Sequence, residues 1–207
     1  SINSTIYEWV KNNHNSFEYI ITYDKELIGL SDNIIFYPHS GCWIKPEDHK
    51  MYTKTKLLSI VSSDKRMTVG HRLRHEAIDI CKSNGINLDL YGRGYNPVGY
   101  KLEALKEYAF TIVIENIKYD YYFTEKLMDA LTTGTIPIYW GCPSIGDFFN
   151  TDGMIIFDGV NDLLSKLESL SFDKYELMKE SAYENMILAQ KYLLAEDWLY
   201  ENTNIFK

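Results

Sequence analysis

Apolar positions along the chain alternate between short runs rich in β-branched and aromatic residues and stretches with helical spacing. The runs at 17–24 (FEYIITYD), 33–38 (NIIFYP), 57–63 (LLSIVSS), 88–92 (LDLYG), 110–115 (FTIVIE), 136–141 (IPIYWG) and 154–158 (MIIFD) predict strands. Helical periodicity predicts helices over 71–85, closed by Gly85, over 102–109, over 124–134, closed by Gly134, over 162–170, and from Tyr175 to about Leu194. This alternation over 57–170 predicts an α/β fold: a Rossmann-like parallel sheet with right-handed crossovers and helices on both faces. A ligand then belongs beyond the carboxyl ends of the strands.

The stretch 39–56 is polar, carries Pro46 and breaks the pattern, which predicts a linker. The leading piece, 1–52, shows two strands and a helix, too little to bury a core alone, and 53–207 forms the main domain with its C-terminal helices.

Composition narrows the function. The 207 residues are 45% hydrophobic, enough for one sizeable core, and the formal net charge is −8 with no long basic run. Nucleic acid is therefore not an expected partner. Cys42, Cys81 and Cys142 are far apart and odd in number, so they read as reduced, mostly buried thiols. No stretch approaches the roughly 20 apolar residues of a membrane span, and a soluble protein is expected.

Three loops that come after predicted strands concentrate polar groups. One carries Ser62, Ser63, Lys65, Arg66, Arg72 and Arg74; the next carries Arg93; the third, NIKYDYYFTEK, carries Asn116, Tyr122, Thr124, Glu125 and Lys126. Parallel strands end on one side, so all three should open on one edge. Several cations gathered in an acidic chain point to a small anionic ligand. Thr124 is a good N-cap, and Glu125 and Lys126 then occupy the first turn of a helix, where free N–H groups attract phosphate. Lys126 adds a point charge for a diphosphate, and Glu125 can accept from sugar or ribose hydroxyls.

Each residue also has a plainer reading. Glu125 and Lys126 fit an ordinary solvated first turn, and Arg72 and Arg74 fit surface ion pairs with Glu76 or Asp79. The tyrosines fit packing beneath a loop, and Asn116 a polar stop to a strand. His71 and His75 have the i, i+4 spacing of metal ligands but no third ligand in view. The chain has no Asp-x-Asp pair, so neutralisation by Arg and Lys, with no metal and no cofactor, is the expectation.

The segment IENIKYDYYFTEKLMDALTTGTIPIYWGCPSIGDFFN resembles the donor-binding signature of the α-1,3/4-fucosyltransferases, glycosyltransferase family ten. SIVSS followed by Arg72, and LDLYGRG, are similar to upstream segments of the same family, so the resemblance covers roughly 57–160. It implies the C-terminal, nucleotide-binding half of a GT-B enzyme that inverts the anomeric centre without a bound metal. GDP-fucose would be the donor substrate and a glycan hydroxyl the acceptor. Carried over, Asn116, Tyr122, Glu125 and Lys126 contact the donor, Arg72 and Lys126 neutralise the diphosphate, Glu125 addresses hydroxyls, and Ser62, Arg93 and Thr124 complete the site. Arg72, Glu125 and Lys126 are the catalytic candidates. Ile114, Phe123 and Ser63 depart from the pattern, where the family has Phe, Val or Ile, and Asn. The family's general base is a glutamate in an acceptor domain upstream of anything matched here. Two alternatives stay open: a GDP-sugar-binding module or transferase fragment without catalysis, and a transferase of another nucleotide sugar such as GDP-mannose.

Overall fold

A computed structural model describes residues 4–38 and 40–206. Helix α1 (Ser4–Asn13) precedes two short parallel strands, β1 (Ile20–Thr22) and β2 (Ile34–Phe36), which pair with each other. The main sheet has five strands: β3 (Lys56–Val61), β4 (Asp89–Tyr91), β5 (Tyr108–Ile114), β6 (Ile136–Trp140) and β7 (Ile155–Ile156). Their order is β4-β3-β5-β6-β7 and every pairing is parallel. Helices α2 (Val69–Ser83), α3 (Glu125–Thr132), α4 (Val160–Glu168), α5 (Phe172–Ala189) and α6 (Ala195–Asn202) complete the chain.

The two central strands explain why their sequences read as continuous apolar runs. Every position of β5 and β6 is buried, because helices cover both faces of the sheet. Ile112 and Ile114 join a core with Leu73 and Ile78 of α2 and Leu163 of α4. Val113 between them joins a second core with Leu127 and Leu131 of α3. Alternation along one strand thus divides the interior into two layers.

All seven predicted strands are present, most of them shorter than expected, while β3 and β5 begin one and two residues earlier. The predicted helix over 102–109 is not. The chain makes a single 3-10 turn at Lys101–Ala104, and Tyr108 and Ala109 begin β5. Pairing of Tyr108 with Lys56, and the Tyr108 hydroxyl donating to Asp89 Oδ2 at 2.6 Å, outweigh a local helical preference. In place of a crossover helix, this turn spans the connection from β4 to β5. The tail expected as one helix from Tyr175 to about Leu194 is α5 closed by a 3-10 turn at Gln190–Tyr192, and α6 follows beyond it.

The polar stretch 39–56, described from residue 40 onward, is packed down rather than loose; His39 lies outside the described residues. Ile44 is 3% exposed against Leu102 and Leu105. Lys50 N–H donates to the Thr132 carbonyl at the end of α3, and Ser40 Oγ donates to the Tyr192 carbonyl. This segment is a strap laid across the main sheet's flank. The three cysteines are free, Cys81 and Cys142 buried and Cys42 partly so.

Candidate functional site

A cleft of about 550 Å³ opens where β3, β4 and β5 end. Two glycines bring its walls together. A Cβ on Gly70, at the start of α2, would lie 1.7 Å from the Glu115 carbonyl oxygen, and the Gly70 N–H donates to the Asn116 carbonyl at 3.0 Å. Helix α2 therefore abuts the end of β5 backbone to backbone. Gly92, at the end of β4, has φ +110 and leaves no room for a side chain against the Ser62 carbonyl.

Thr68 caps α2 in a reciprocal box with His71: Thr68 Oγ1 accepts from the His71 N–H, and His71 Nδ1 accepts from the Thr68 N–H. The inward face of the helix then carries Gly70, Leu73, Arg74, Ala77, Ile78 and Cys81. Arg74 is 5% exposed; its guanidinium donates to the Ile114 carbonyl and, at 3.0 Å, to Asn116 Oδ1. Burial lowers its pKa from the ordinary arginine value, opposed by Glu115 and Glu125. His71 beside it is also lowered, by burial and then by Arg74, Lys65 and Lys126. That end of the cleft is electropositive.

The opposite wall is the start of α3. Thr124 caps the helix and its own N–H and hydroxyl donate to the two oxygens of Glu115, at 2.8 and 2.7 Å. Glu115 has no solvent exposure. Burial raises its pKa, opposed by Lys126 and by the two Thr124 bonds. Lys126 Nζ lies 2.9 Å from Thr124 Oγ1, 3.1 Å from Glu125 Oε1 and 3.6 Å from Glu115 Oε2. Burial works against ionisation of Glu125, yet the ammonium groups of Lys126 and Lys101 hold its carboxyl below the usual range. Lys101 continues the chain of charges, 4.0 Å from Glu125 Oε1 and 2.8 Å from Asp129 Oδ2.

Of the residues read from sequence, Ser62, Arg93, Asn116, Glu125 and Lys126 line this cleft. Arg72 does not. It lies on the exposed face of α2, because two residues along a helix is about 200° around the axis from Arg74. The arginine that reaches the cleft is Arg74, which is buried rather than the surface residue its charged neighbours suggested. Thr124 acts from behind as the cap. Tyr122 is buried beneath the loop, its ring 5.4 Å from that of Tyr23. His75 faces Tyr95 and the Lys65 carbonyl instead of pairing with His71, and among the described residues no three His, Cys, Asp or Glu side chains cluster as metal ligands.

Glu115, Lys101, Asp129 and Trp43 were not read as site residues. Glu115 carried a signal, a carboxylate at the end of a fully apolar run, where burial demands a partner. Lys101, Asp129 and Trp43 come together from three distant segments, and no local pattern announces them.

The five-stranded parallel sheet with helices on both faces and a polar cleft at its strand ends has a GT-B-like fold. The family model for glycosyltransferase family 10 (fucosyltransferase), C-terminal part, matches residues 51–193, and the chain belongs to that family. An α-(1,3)-fucosyltransferase of Helicobacter pylori is 38% identical over 94 residues, covering 45% of this chain and 19% of that protein. A GDP-fucose protein O-fucosyltransferase 3 of Bos taurus is 28% identical over 167 residues, covering 78% of this chain and 32% of that one. The chain thus spans between a fifth and a third of the length of these relatives. Among solved structures, an α1,3-fucosyltransferase with GDP-fucose superposes with a TM-score of 0.60 at 23% identity, covering 82% of this chain and 62% of that one. TarM of S. aureus in complex with UDP superposes at 0.61 with 17% identity, covering 95% and 46%. At these identities the likeness is one of fold.

Proposed function

We propose that the cleft binds a guanosine diphosphate sugar, with GDP-fucose as donor, and that the chain supplies the donor half of an inverting fucosyl transfer to a glycan hydroxyl. The observation that carries this reading is the placement of Lys126 and Arg74 around one end of a cleft in a chain of net charge −8, beside the start of α3. Residues 1–52 as an acceptor-side piece and 53–207 as the donor domain belong to the same proposal.

The chemistry comes from charge. As the bond between fucose and phosphate oxygen lengthens, the sugar ring becomes cationic and negative charge grows on the departing diphosphate. Fixed cations beside that oxygen lower the energy of this state more than that of the bound donor. Lys126 is placed for this role, its ammonium already oriented by Thr124 and Glu125. Arg74 adds positive potential from within the wall and holds Asn116 at the cleft surface. Glu125, kept ionised by its lysines, accepts from ribose or fucose hydroxyls.

A specific observation favours a second reading, a GDP-sugar-binding module without turnover. The carboxylates that line the cleft, Glu125 and Asp129, are each engaged by lysine. Neither stands free to take the acceptor proton. In the leading piece Asp24 accepts from Tyr119, Glu26 pairs with Lys11, and Asp48 accepts from Tyr52 and Tyr100.

Calorimetric titration with GDP, GDP-mannose and UDP, run beside an assay of fucose transfer from GDP-fucose, separates the readings. Transfer supports the enzyme; GDP binding without transfer or donor hydrolysis supports the module. Preference for UDP contradicts both.

A further inference from the structure

Trp43 stands on the strap, outside the 51–193 stretch that the family model matches. Its backbone is pinned: the Trp43 N–H donates to Asp129 Oδ1 at 2.6 Å, and the next residue, Ile44, is buried against Leu102 and Leu105. Asp129 is itself 1% exposed and takes Lys101 on its other oxygen at 2.8 Å. One buried carboxylate therefore fixes both the indole's mainchain and the ammonium that sits 4.2 Å from the indole centroid. Yet Trp43 is 65% exposed, at the wall of the cleft. Single exposed apolar side chains are ordinary on a protein surface. This one differs because it lines a cleft and is held in place by buried polar contacts.

The cleft has a direction. At one end Arg74 and Lys126 make it cationic, with His71 beside them, and Glu125 comes next at the first turn of α3. One helical turn further, about 6 Å along the axis, is Asp129, with Trp43 and Lys101 held around it. A nucleoside diphosphate has the same order of chemistry: an anionic diphosphate, a ribose diol, then a flat aromatic base.

We propose that Trp43 is the platform on which the donor's nucleobase stacks, so that the strap closes the nucleoside end of the cleft. This rests on the reading of the cleft as a nucleoside diphosphate site. The base lies against the indole, with Lys101 adding a cation beside the π-system, and Asp129 acts as a positioning residue that sets both. Stacking on an aromatic side chain works for any base, so Trp43 contributes affinity rather than the choice of guanine.

The test is calorimetric titration of wild type, Trp43→Ala, Trp43→Phe and Lys126→Ala with GDP and with inorganic pyrophosphate, each variant first checked for an unchanged melting temperature. Loss of base stacking predicts that Trp43→Ala weakens GDP on the order of 10-fold, that Trp43→Phe stays within about 3-fold of wild type, and that pyrophosphate affinity is the same in all three. If Trp43→Ala leaves GDP affinity unchanged while Lys126→Ala abolishes it, the platform is wrong and the site reading stands. If Trp43→Ala weakens pyrophosphate as much as GDP, the residue acts on the phosphate end and the proposal is overturned. If wild type binds neither ligand, the site reading itself fails and this inference falls with it.

Discussion

The ammonium of Lys126 stands 3.6 Å from the carboxylate of Glu115, which is sealed from solvent. A charge so buried is tolerated because Thr124 supplies two hydrogen bonds and Lys126 a counter-charge. Strand β5, the cap of α3 and the cleft's main cation are thereby fastened to one side chain. Glu115→Ala leaves the Thr124 amide and hydroxyl unpaired and should lower stability by about 3 kcal/mol. Urea unfolding midpoints measure it. Glu115→Gln keeps an acceptor for Thr124 and should cost less than the alanine variant.

The two arginines of α2 give a sharper contrast. Arg72→Ala removes an exposed side chain outside the cleft and should leave GDP affinity within about 2-fold. Arg74→Met removes the buried guanidinium that holds Asn116, and should weaken GDP on the order of 10-fold or more. Titration of both variants, with circular dichroism to confirm folding, decides between them. Equal losses would return Arg72 to the site.

Gly70 tests the close approach of α2 to β5. A methyl group there would overlap the Glu115 carbonyl, a backbone atom that cannot swing aside, so Gly70→Ala should cost about 3 kcal/mol and weaken GDP with it. Gly99→Ala, where a Cβ meets nothing within 4 Å and no helix is capped, is the control and should change neither. Thermal melts of the pair provide the comparison.

Lys54 makes stability depend on pH. Burial lowers its amine to about 7 from the ordinary 10.5, with the Lys106 and Thr133 carbonyls and Thr135 Oγ1 around it. The unfolded chain therefore binds a proton that the folded one releases between pH 7 and about 10.5, so stability rises with pH across that window. Below pH 7 both states are protonated and the penalty of burying the charge is at its full value. Wild type should gain on Lys54→Met as pH rises from 7 to 9.5, read as the difference in melting temperature. A constant gap would show that the amine titrates normally.

Strand positions and the polar loop ends were legible because parallel strands buried on both faces leave long apolar runs, and the loops leaving their carboxyl ends share one edge of the sheet. The helix over 102–109 misled because its local spacing is helical while Tyr108 is claimed by pairing with Lys56, a contact across 52 residues that no window contains. Arg72 misled in a similar way. Choosing between two arginines two positions apart requires the phase of the helix, and that phase is set by Gly70 lying on the end of β5. Lys101, Asp129 and Trp43 are joined by the fold alone. Lys126 and Glu125 could be read because the cap Thr124 and the apolar face of α3 fix them within a single turn.

The central claim is that the cationic end of the cleft, anchored by Lys126, holds the diphosphate of GDP. Its most direct measurement is the dissociation constant of GDP for wild type and Lys126→Ala, titrated side by side in buffer containing a chelator. Saturable one-to-one binding to wild type, weakened on the order of 10-fold or more in Lys126→Ala, is the predicted result. Equal affinity in the two proteins, or no binding to wild type, would contradict it.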